Sequence, residues 1–499
     1  MSAITARLSV WWRSREDDLG DVWPFLLAAN LLYVFRLGAA PLWYDEAASH
    51  WFAGLPLARM IVATAGDTHP PLYYLLLAPI VNFFGASPAA LRIPSVLFML
   101  CSLYVARELA RELKFSRPAQ LIALGLMTLS PFQLHYAQEA RMYALLQLLV
   151  LGATLAALQK KLLRFALLSA LAMWTHNYGL FYFAVNCGVL AWAVWKTRPR
   201  WPVLETALVV AMVGGAALVM WLPWAAVLYG QMRTVAGGYW IMPVTWGTLI
   251  YALLNLMYAF TLPVWLTPTG VIVAVGLLTW LIVKAAQVRT EAPLLLLWIV
   301  LAPAVIALAV SAAWRPVWLF RGLAPSLPAL CLLAGWAFGR VKMIYRLCAA
   351  FFLAPLLAAA LVGQYLYTPD QKSQIDQVYL DKLLAQWQEG DLIVYSNEGY
   401  LVEWHPRGVE RLPYVIMPRT CPQNFGAISE TTRDALGMVV ANPDTRRWKR
   451  AWFVYTAFPQ IMQCEVDMVR AWLDRYEHRR VWLIQGDEFV EASIWLVTR

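Results

Sequence analysis

Between about residue 22 and residue 366 the chain is a succession of apolar runs, many near the roughly 17–25 residues that a helix needs to span a bilayer. Runs of that length leave no water-facing side, so an ordinary soluble globule is excluded. Composition agrees, with 61% of the 499 residues hydrophobic and 14% charged, against about 25% charged in a soluble domain. Disorder is excluded on the same grounds. The expectation is a polytopic α-helical membrane protein.

The last 133 residues are different. Residues 1–366 hold 25 Lys+Arg and 12 Asp+Glu, whereas residues 367–499 hold 15 and 18. This divides the chain into a transmembrane domain, 1–366, with loops on the outer face, and a soluble α/β domain, 367–499. In the latter, strand-like runs at Asp391–Ser396, Arg411–Met417, Ala451–Tyr455, Val481–Gln485 and Ser493–Val497 alternate with helical stretches near Lys372–Gln388 and Glu465–Tyr476. A small Rossmann-like sheet is expected, without the glycine-rich loop that would mark a nucleotide site.

Basic connections set the orientation. Met1–Asp21 is polar and mixed in charge, so the apolar run after it reads as a retained first span and not as a cleaved leader. Arg107–Arg117, Lys160–Arg164, Lys196–Arg200, Lys284–Arg289 and Arg340–Arg346 all score as cytoplasmic. Placing them on one side requires that Pro70–Phe84 and Trp246–Leu262, each short for a span, lie in the outer interface. Eleven spans result, near 22–38, 89–107, 118–134, 142–159, 162–176, 178–195, 203–223, 268–286, 293–312, 322–339 and 344–366. The N-terminus is then cytoplasmic and the C-terminal domain outside. The net charge of +10 reports orientation, and no nucleic-acid partner is implied.

This topology isolates four carboxylates on the outer face: Asp45, Glu46, Asp67 and Glu139. They sit in segments rich in His, Arg, Tyr and Trp: Trp43-Tyr44-Asp45-Glu46-Ala47-Ala48-Ser49-His50, Asp67-Thr68-His69-Pro70-Pro71-Leu72-Tyr73-Tyr74 and His135-Tyr136-Ala137-Gln138-Glu139-Ala140-Arg141-Met142-Tyr143. A polar site at the outer membrane boundary is the natural hypothesis. Asp67 and Thr68, ahead of two prolines, read as a helix cap. Adjacent Asp45 and Glu46, directly after a span, read as functional.

Arg59, Arg92, Arg141, Arg233, Arg315 and Arg321 face the same side against the charge bias. Each is explained either by a phosphate, which suits a guanidinium fork, or by pairing with Glu139 or Asp67, or by snorkelling to headgroups. His50, His69, His135 and His176, the last at an expected tight turn, complete the outer polar set. They lack the close spacing of a metal motif, so contacts to sugar or phosphate are expected and no cofactor, with a divalent metal as the lesser alternative. Cys101, Cys187, Cys331 and Cys348 fall in spans. Cys421 and Cys464 are either a disulfide in an oxidising compartment or two thiols.

Taken together, the Asp45-Glu46 pair after the first span, His69-Pro70-Pro71-Leu72-Tyr73-Tyr74, Ala137-Gln138-Glu139-Ala140-Arg141-Met142-Tyr143-Ala144 and Phe320-Arg321-Gly322-Leu323-Ala324-Pro325 resemble the GT-C class of polytopic glycosyltransferases. The likeness is to a bacterial mannosyltransferase-like branch, akin to protein O-mannosyltransferases and lipid A aminoarabinose transferases, and covers most of residues 20–366. One departure is Arg321-Gly322-Leu323, where relatives usually read Arg-Tyr-Leu.

The resemblance implies transfer of a hexose or pentose from a polyprenyl-phosphate donor to a hydroxyl of a glycan, lipid or protein, on the outer face of the bacterial inner membrane and with inversion. Asp45 would be the general base and Glu46 would position or tune it. Arg321 and Arg141 would hold the donor phosphate, and His69, Tyr73, Glu139, Tyr143 and His176 would contact substrate. Membrane lipids surround the chain. The rival expectation is a transporter or flippase of a lipid-linked or anionic substrate, which would place ionisable or helix-breaking features mid-bilayer on several spans. Here the polar residues collect at one face.

Overall fold

The computed structural model describes residues 20–197, 202–234, 241, 243–288, 290–366, 375–418, 428–457, 463–486 and 491–499. Among them, six helices are long and apolar enough to cross a membrane: Pro88–Glu112, Tyr178–Trp195, Val203–Arg233, Val264–Val288, Glu291–Ala313 and Met343–Leu366. Six shorter apolar helices accompany them, including Trp23–Val34, Leu72–Phe84, Tyr143–Leu158, Leu162–Thr175 and Ser326–Phe338. The chain divides into two compact units, Met1–Leu37, Arg92–Leu222 and Ile241–Tyr367 in the first, and Gly38–Leu91, Pro223–Trp240 and Thr368–Arg499 in the second.

The first unit is a helix bundle. Tyr143–Leu158 and Ser326–Phe338 are buried on nearly every side, the signature of helices at the centre of a membrane bundle. Polar side chains of Tyr143–Leu158 are satisfied by neighbouring helices. Gln133 and Gln147 exchange amide hydrogen bonds at 3.2 and 3.1 Å, and Thr154 Oγ1 donates to Asn186 Oδ1 at 2.8 Å. Such pairs replace water where none can enter.

The stretch expected as one span over 118–134 is interrupted. Arg117–Thr128 ends, and a seven-residue helix, Pro131–Ala137, begins after Ser130. Ser130 accepts a hydrogen bond from the Gln133 N–H at 3.3 Å, and Pro131 takes the first helical position. This Ser-Pro start signal is written in the sequence, but the hydropathy around it hides it. The two stretches expected to be too short to cross form the helices Leu72–Phe84 and Trp246–Tyr258, of 13 residues each. At about 1.5 Å per residue they reach about 20 Å, no less than Ser326–Phe338 and Trp23–Val34, which were expected to span.

In the second unit, β1 (Leu392–Tyr395), β2 (Tyr414–Ile416), β3 (Arg450–Ala457), β4 (Glu477–Gly486) and β5 (Glu491–Thr498) form one sheet in the order β2-β1-β3-β5-β4. Every expected strand is present. β1 pairs parallel with β2 and β3, whereas β5 pairs antiparallel with β3 and β4. The sheet is thus mixed, and departs from a Rossmann arrangement at β5, which runs antiparallel to both of its neighbours. Helix Gln463–Leu473 turns Val466, Val469, Trp472 and Leu473 inward, at helical spacing, against Val394, Val415, Phe453 and Val497. Arg450 Nε and Nη2 grip the Asp391 carboxylate at 2.9 and 2.6 Å, and Trp452 Nε1 adds a bond at 2.9 Å. Burial would raise the Asp391 pKa, but these bonds and one from the Gln388 N–H outweigh it and hold the carboxyl below its usual range.

The segments Gly38–Leu91 and Thr368–Arg499 are joined within this unit at helix Leu57–Gly66. A Cβ on Gly66 would stand 2.5 Å from Thr432 Oγ1 and 2.6 Å from Ser429 Oγ, so only glycine permits the approach of helix Glu430–Leu436. Thr432 Oγ1 donates to the Ala63 carbonyl at 2.8 Å, and Arg59 donates twice to the Ala435 carbonyl. The helical expectation for the C-terminal region missed both Glu430–Leu436 and Gly399–Trp404.

Asp67 does not cap the helix that follows it. It is the C-cap residue of Leu57–Gly66, while Pro71 is the N-cap residue of Leu72–Phe84, which has no side-chain capping bond. Pro70 and Pro71 delay the start of the helix until Leu72. Cys464 is disulfide-bonded, Cys421 lies outside the described residues, and Cys101, Cys187, Cys331 and Cys348 are free thiols.

Candidate active site

The expected site residues fall into two sets, one in each unit. In the second unit, Trp43 is the N-cap residue of a ten-residue helix, Tyr44–Ala53, that carries Asp45 and Glu46 in its first turn. Carboxylates there meet the positive end of the helix dipole. Glu46 is fully buried and Asp45 is half-buried. That difference suits Asp45 to meet a solvent-borne or lipid-borne hydroxyl and Glu46 to a supporting place behind it.

The same helix is buttressed by aromatic rings. Phe52 meets Tyr74 edge-on at 5.1 Å, and Tyr74 meets the buried Tyr73 at 5.9 Å. His69 is half-buried, with Nδ1 3.3 Å from Thr68 Oγ1. From the C-terminal region, His405 stacks on Trp51 with ring centroids 3.9 Å apart and planes within 9°, and stands 5.5 Å from His50. Burial, followed by repulsion from His50, pushes the His405 pKa down to about 3; burial lowers that of His50 as well. Both rings are therefore neutral at pH 7. Sequence inspection did not find His405, because a lone histidine between Trp404 and Pro406 carries no signal of a partner more than 350 residues away.

In the first unit, the short helix Pro131–Ala137 delivers His135 and Tyr136 to the connector that holds Glu139 and Arg141, and helix Tyr143–Leu158 begins at Tyr143. Glu139, Arg141 and Tyr143 are all buried. The connector is held from three sides. Ser95 Oγ donates to the Glu139 carbonyl at 2.6 Å, and Gln138 Nε2 donates to the carbonyls of Tyr33 and Phe35 at 3.1 and 2.9 Å.

His176 occupies the expected tight turn, between Leu162–Thr175 and Tyr178–Trp195. Its Nδ1 accepts from the Tyr178 N–H at 3.0 Å, which places the proton of the neutral ring on Nε2. The His176 ring lies 5.6 Å from Tyr143, and the Arg321 guanidinium carbon lies 5.7 Å from the same Tyr143 ring. Tyr136 meets Tyr143 at 5.1 Å. Glu139, Tyr143, His176 and Arg321 thus belong to one neighbourhood, built around Tyr143 and Tyr136. It combines a carboxylate, a guanidinium, imidazoles and phenols, which are groups that bind hydroxyls and anions.

Arg321 lies on a short 3₁₀ turn, Phe320–Leu323. Tyr178 fixes the approach to it, its hydroxyl donating to the Val317 carbonyl at 2.7 Å and accepting from the Leu319 N–H at 2.8 Å. A Cβ on Gly322 would lie 2.6 Å from the Tyr178 ring. The Tyr178 ring thus fills the space where a side chain at position 322 would begin. The other arginines expected on the outer face have structural partners. Arg59 binds the Ala435 carbonyl, Arg92 binds the Leu37 carbonyl at 2.8 Å, Arg233 bonds to Tyr229, and Arg315 lies 5.7 Å over the Trp314 ring. Among the described residues, no three His, Cys, Asp or Glu side chains form a group that could hold a metal ion.

No protein-family model matches the chain, and no curated protein matches it in sequence. Its fold, however, is shared with solved structures. The likeness runs the whole length. The chain is similar to ArnT from Cupriavidus metallidurans in the apo state, with a TM-score of 0.59 at 15% identity, covering 96% of this chain and 98% of that one. It is similar to the same protein bound to undecaprenyl phosphate, with a TM-score of 0.57 at 14% identity over 95% and 98%. A slighter likeness, with a TM-score of 0.36 over 43% of this chain and 34% of that chain, is to a protein O-mannosyltransferase complex of S. cerevisiae bound to the sugar donor.

Proposed function

We propose that the chain is a glycosyltransferase of the bacterial inner membrane that moves one sugar, a hexose or a pentose, from a polyprenyl-phosphate donor to a hydroxyl of a glycan, lipid or protein. The observation that carries this reading is the full-length fold likeness to ArnT, which also has a solved form with undecaprenyl phosphate bound. The outer polar clusters supply the groups that such a reaction uses.

In the proposed reaction, Asp45 accepts the proton of the acceptor hydroxyl as its oxygen bonds to the anomeric carbon. The bond from that carbon to the phosphate oxygen breaks with its electron pair, and polyprenyl phosphate departs. Arg321 and Arg141 stabilise the charge developing on the phosphate. Glu46 supports Asp45, and His69, Tyr73, Glu139, Tyr143 and His176 contact donor or acceptor. No metal is needed in this scheme, since guanidinium groups meet the anion. The positive-inside bias supports a cytoplasmic N-terminus and a periplasmic C-terminal domain, where Cys421 and Cys464 are the proposed disulfide pair.

The test is the lipid-linked sugars of a deletion strain, identified by mass spectrometry. A polyprenyl-phosphate sugar should accumulate and fall again on complementation. An unchanged lipid-linked pool, with unchanged envelope glycans, would remove the transferase reading.

A further inference from the structure

Glu139 is 2% exposed, yet its Oε2 makes no hydrogen bond among the described residues. What it faces is His135 Nε2, 3.4 Å away and one helical turn earlier in the chain. A buried carboxylate oxygen at that distance keeps most of its accepting capacity, and leaving it unfilled is costly. A ligand that brings a hydroxyl to it is strongly favoured.

The histidine is itself held. Its ring meets Tyr136 edge-on at 4.9 Å and Phe260 at 5.0 Å. The Gln364 amide nitrogen, on helix Met343–Leu366, lies 3.4 Å from His135 Nδ1. An amide N–H pointed at Nδ1 requires the lone pair there, so the ring proton is on Nε2, the nitrogen that stands 3.4 Å from Glu139 Oε2. With Ser95 fixing the Glu139 main chain, the carboxylate is oriented from its backbone and from one side of its head.

Resting on the transferase reading, we propose that His135 is a positioning residue: it orients Glu139 to accept a hydroxyl of the transferred sugar, with Gln364 selecting the tautomer. The pair acts on the sugar and not on the phosphate or the polyprenyl chain. This separates it from a purely structural pair, whose loss would weaken every ligand alike.

The experiment compares binding of bare undecaprenyl phosphate with binding of undecaprenyl phosphate carrying mannose, glucose or arabinose, read by tryptophan fluorescence on the full chain in detergent. Wild type should bind at least one sugar-loaded lipid more tightly than the bare lipid. Glu139→Gln and His135→Ala should lose that gain, roughly tenfold, so that the sugar-loaded and bare lipids bind alike. His135→Gln, whose amide nitrogen replaces Nε2, should retain most of the gain; His135→Asn, whose amide nitrogen replaces Nδ1, should not. Full retention by His135→Ala overturns the proposal, and so does equal behaviour of the Gln and Asn variants, a comparison that stands even if the Ala variant does not fold. Wild type that binds the bare lipid but gains nothing from any of the three sugars overturns it too. Wild type that binds none of these lipids contradicts the transferase reading on which it rests.

Discussion

Tyr178 and Gly322 are fitted to each other across 144 positions of sequence: the tyrosine ring lies where a side chain at 322 would begin, 2.6 Å from its would-be Cβ. The Tyr178 hydroxyl also bridges the Val317 carbonyl and the Leu319 N–H. Arg321 is therefore placed by a neighbour that its own segment does not encode. Gly322→Ala should cost about 1–3 kcal/mol by overpacking, seen as a lower melting temperature in detergent. Tyr178→Phe, which keeps the ring and loses both hydrogen bonds, should cost about 1 kcal/mol for each. If Gly322→Ala melts like wild type, the ring does not fill that space.

The second unit should come apart at helix Leu57–Gly66 before its sheet does. Gly66→Ala drives a methyl into Thr432 Oγ1 and Ser429 Oγ, and with it the bond from Thr432 to the Ala63 carbonyl. Arg59→Ala removes two hydrogen bonds to the Ala435 carbonyl at the C-terminal end of helix Glu430–Leu436, with a loss of about 1 kcal/mol because the arginine is exposed. Limited proteolysis of residues 428–440 should be faster in both variants, and fastest in Gly66→Ala. Equal protection of all three proteins would refute the docking.

Stability should fall on mild acidification. His405 has a folded pKa of about 3, below the ordinary value near 6.5, so the unfolded chain binds the extra proton. Its contribution is whole above about pH 6.5 and is lost progressively as pH falls towards 3, with a slope of at most about 1.4 kcal/mol per pH unit. His50, lowered by burial, acts in the same direction. Asp391, also lowered, adds a loss that starts only below the usual carboxylate range near pH 4. His405→Phe, which keeps a ring against Trp51, should flatten the melting-temperature profile between pH 7 and pH 5. A wild-type profile that is flat over that window would contradict the burial of His405.

The parts of this architecture that were legible in advance are those set by local pattern. Long apolar runs marked the spanning helices, β-branched and aromatic runs marked all five strands, and the scarcity of charge drew attention to Asp45, Glu139 and Arg321. Pairings across the chain could not be read. Nothing in the local sequence joins Arg59 to Ala435, 376 positions away, or Trp51 to His405. The Ser130-Pro131 break lay inside an apolar run, where hydropathy outweighed the capping signal. The helix after Asp67 starts only beyond two prolines, and the insertion of β5 antiparallel between β3 and β4 is a pairing that strand composition does not specify.

The central claim, sugar transfer with Asp45 as base, is tested most directly by returning either wild type or Asp45→Asn to the deletion strain and measuring polyprenyl-phosphate sugars by mass spectrometry at matched protein levels. Asn keeps the size and polarity of the side chain and cannot accept the proton. The account predicts that wild type clears the accumulated lipid-linked sugar and Asp45→Asn leaves it in place. Clearance by Asp45→Asn at the wild-type rate would contradict the claim.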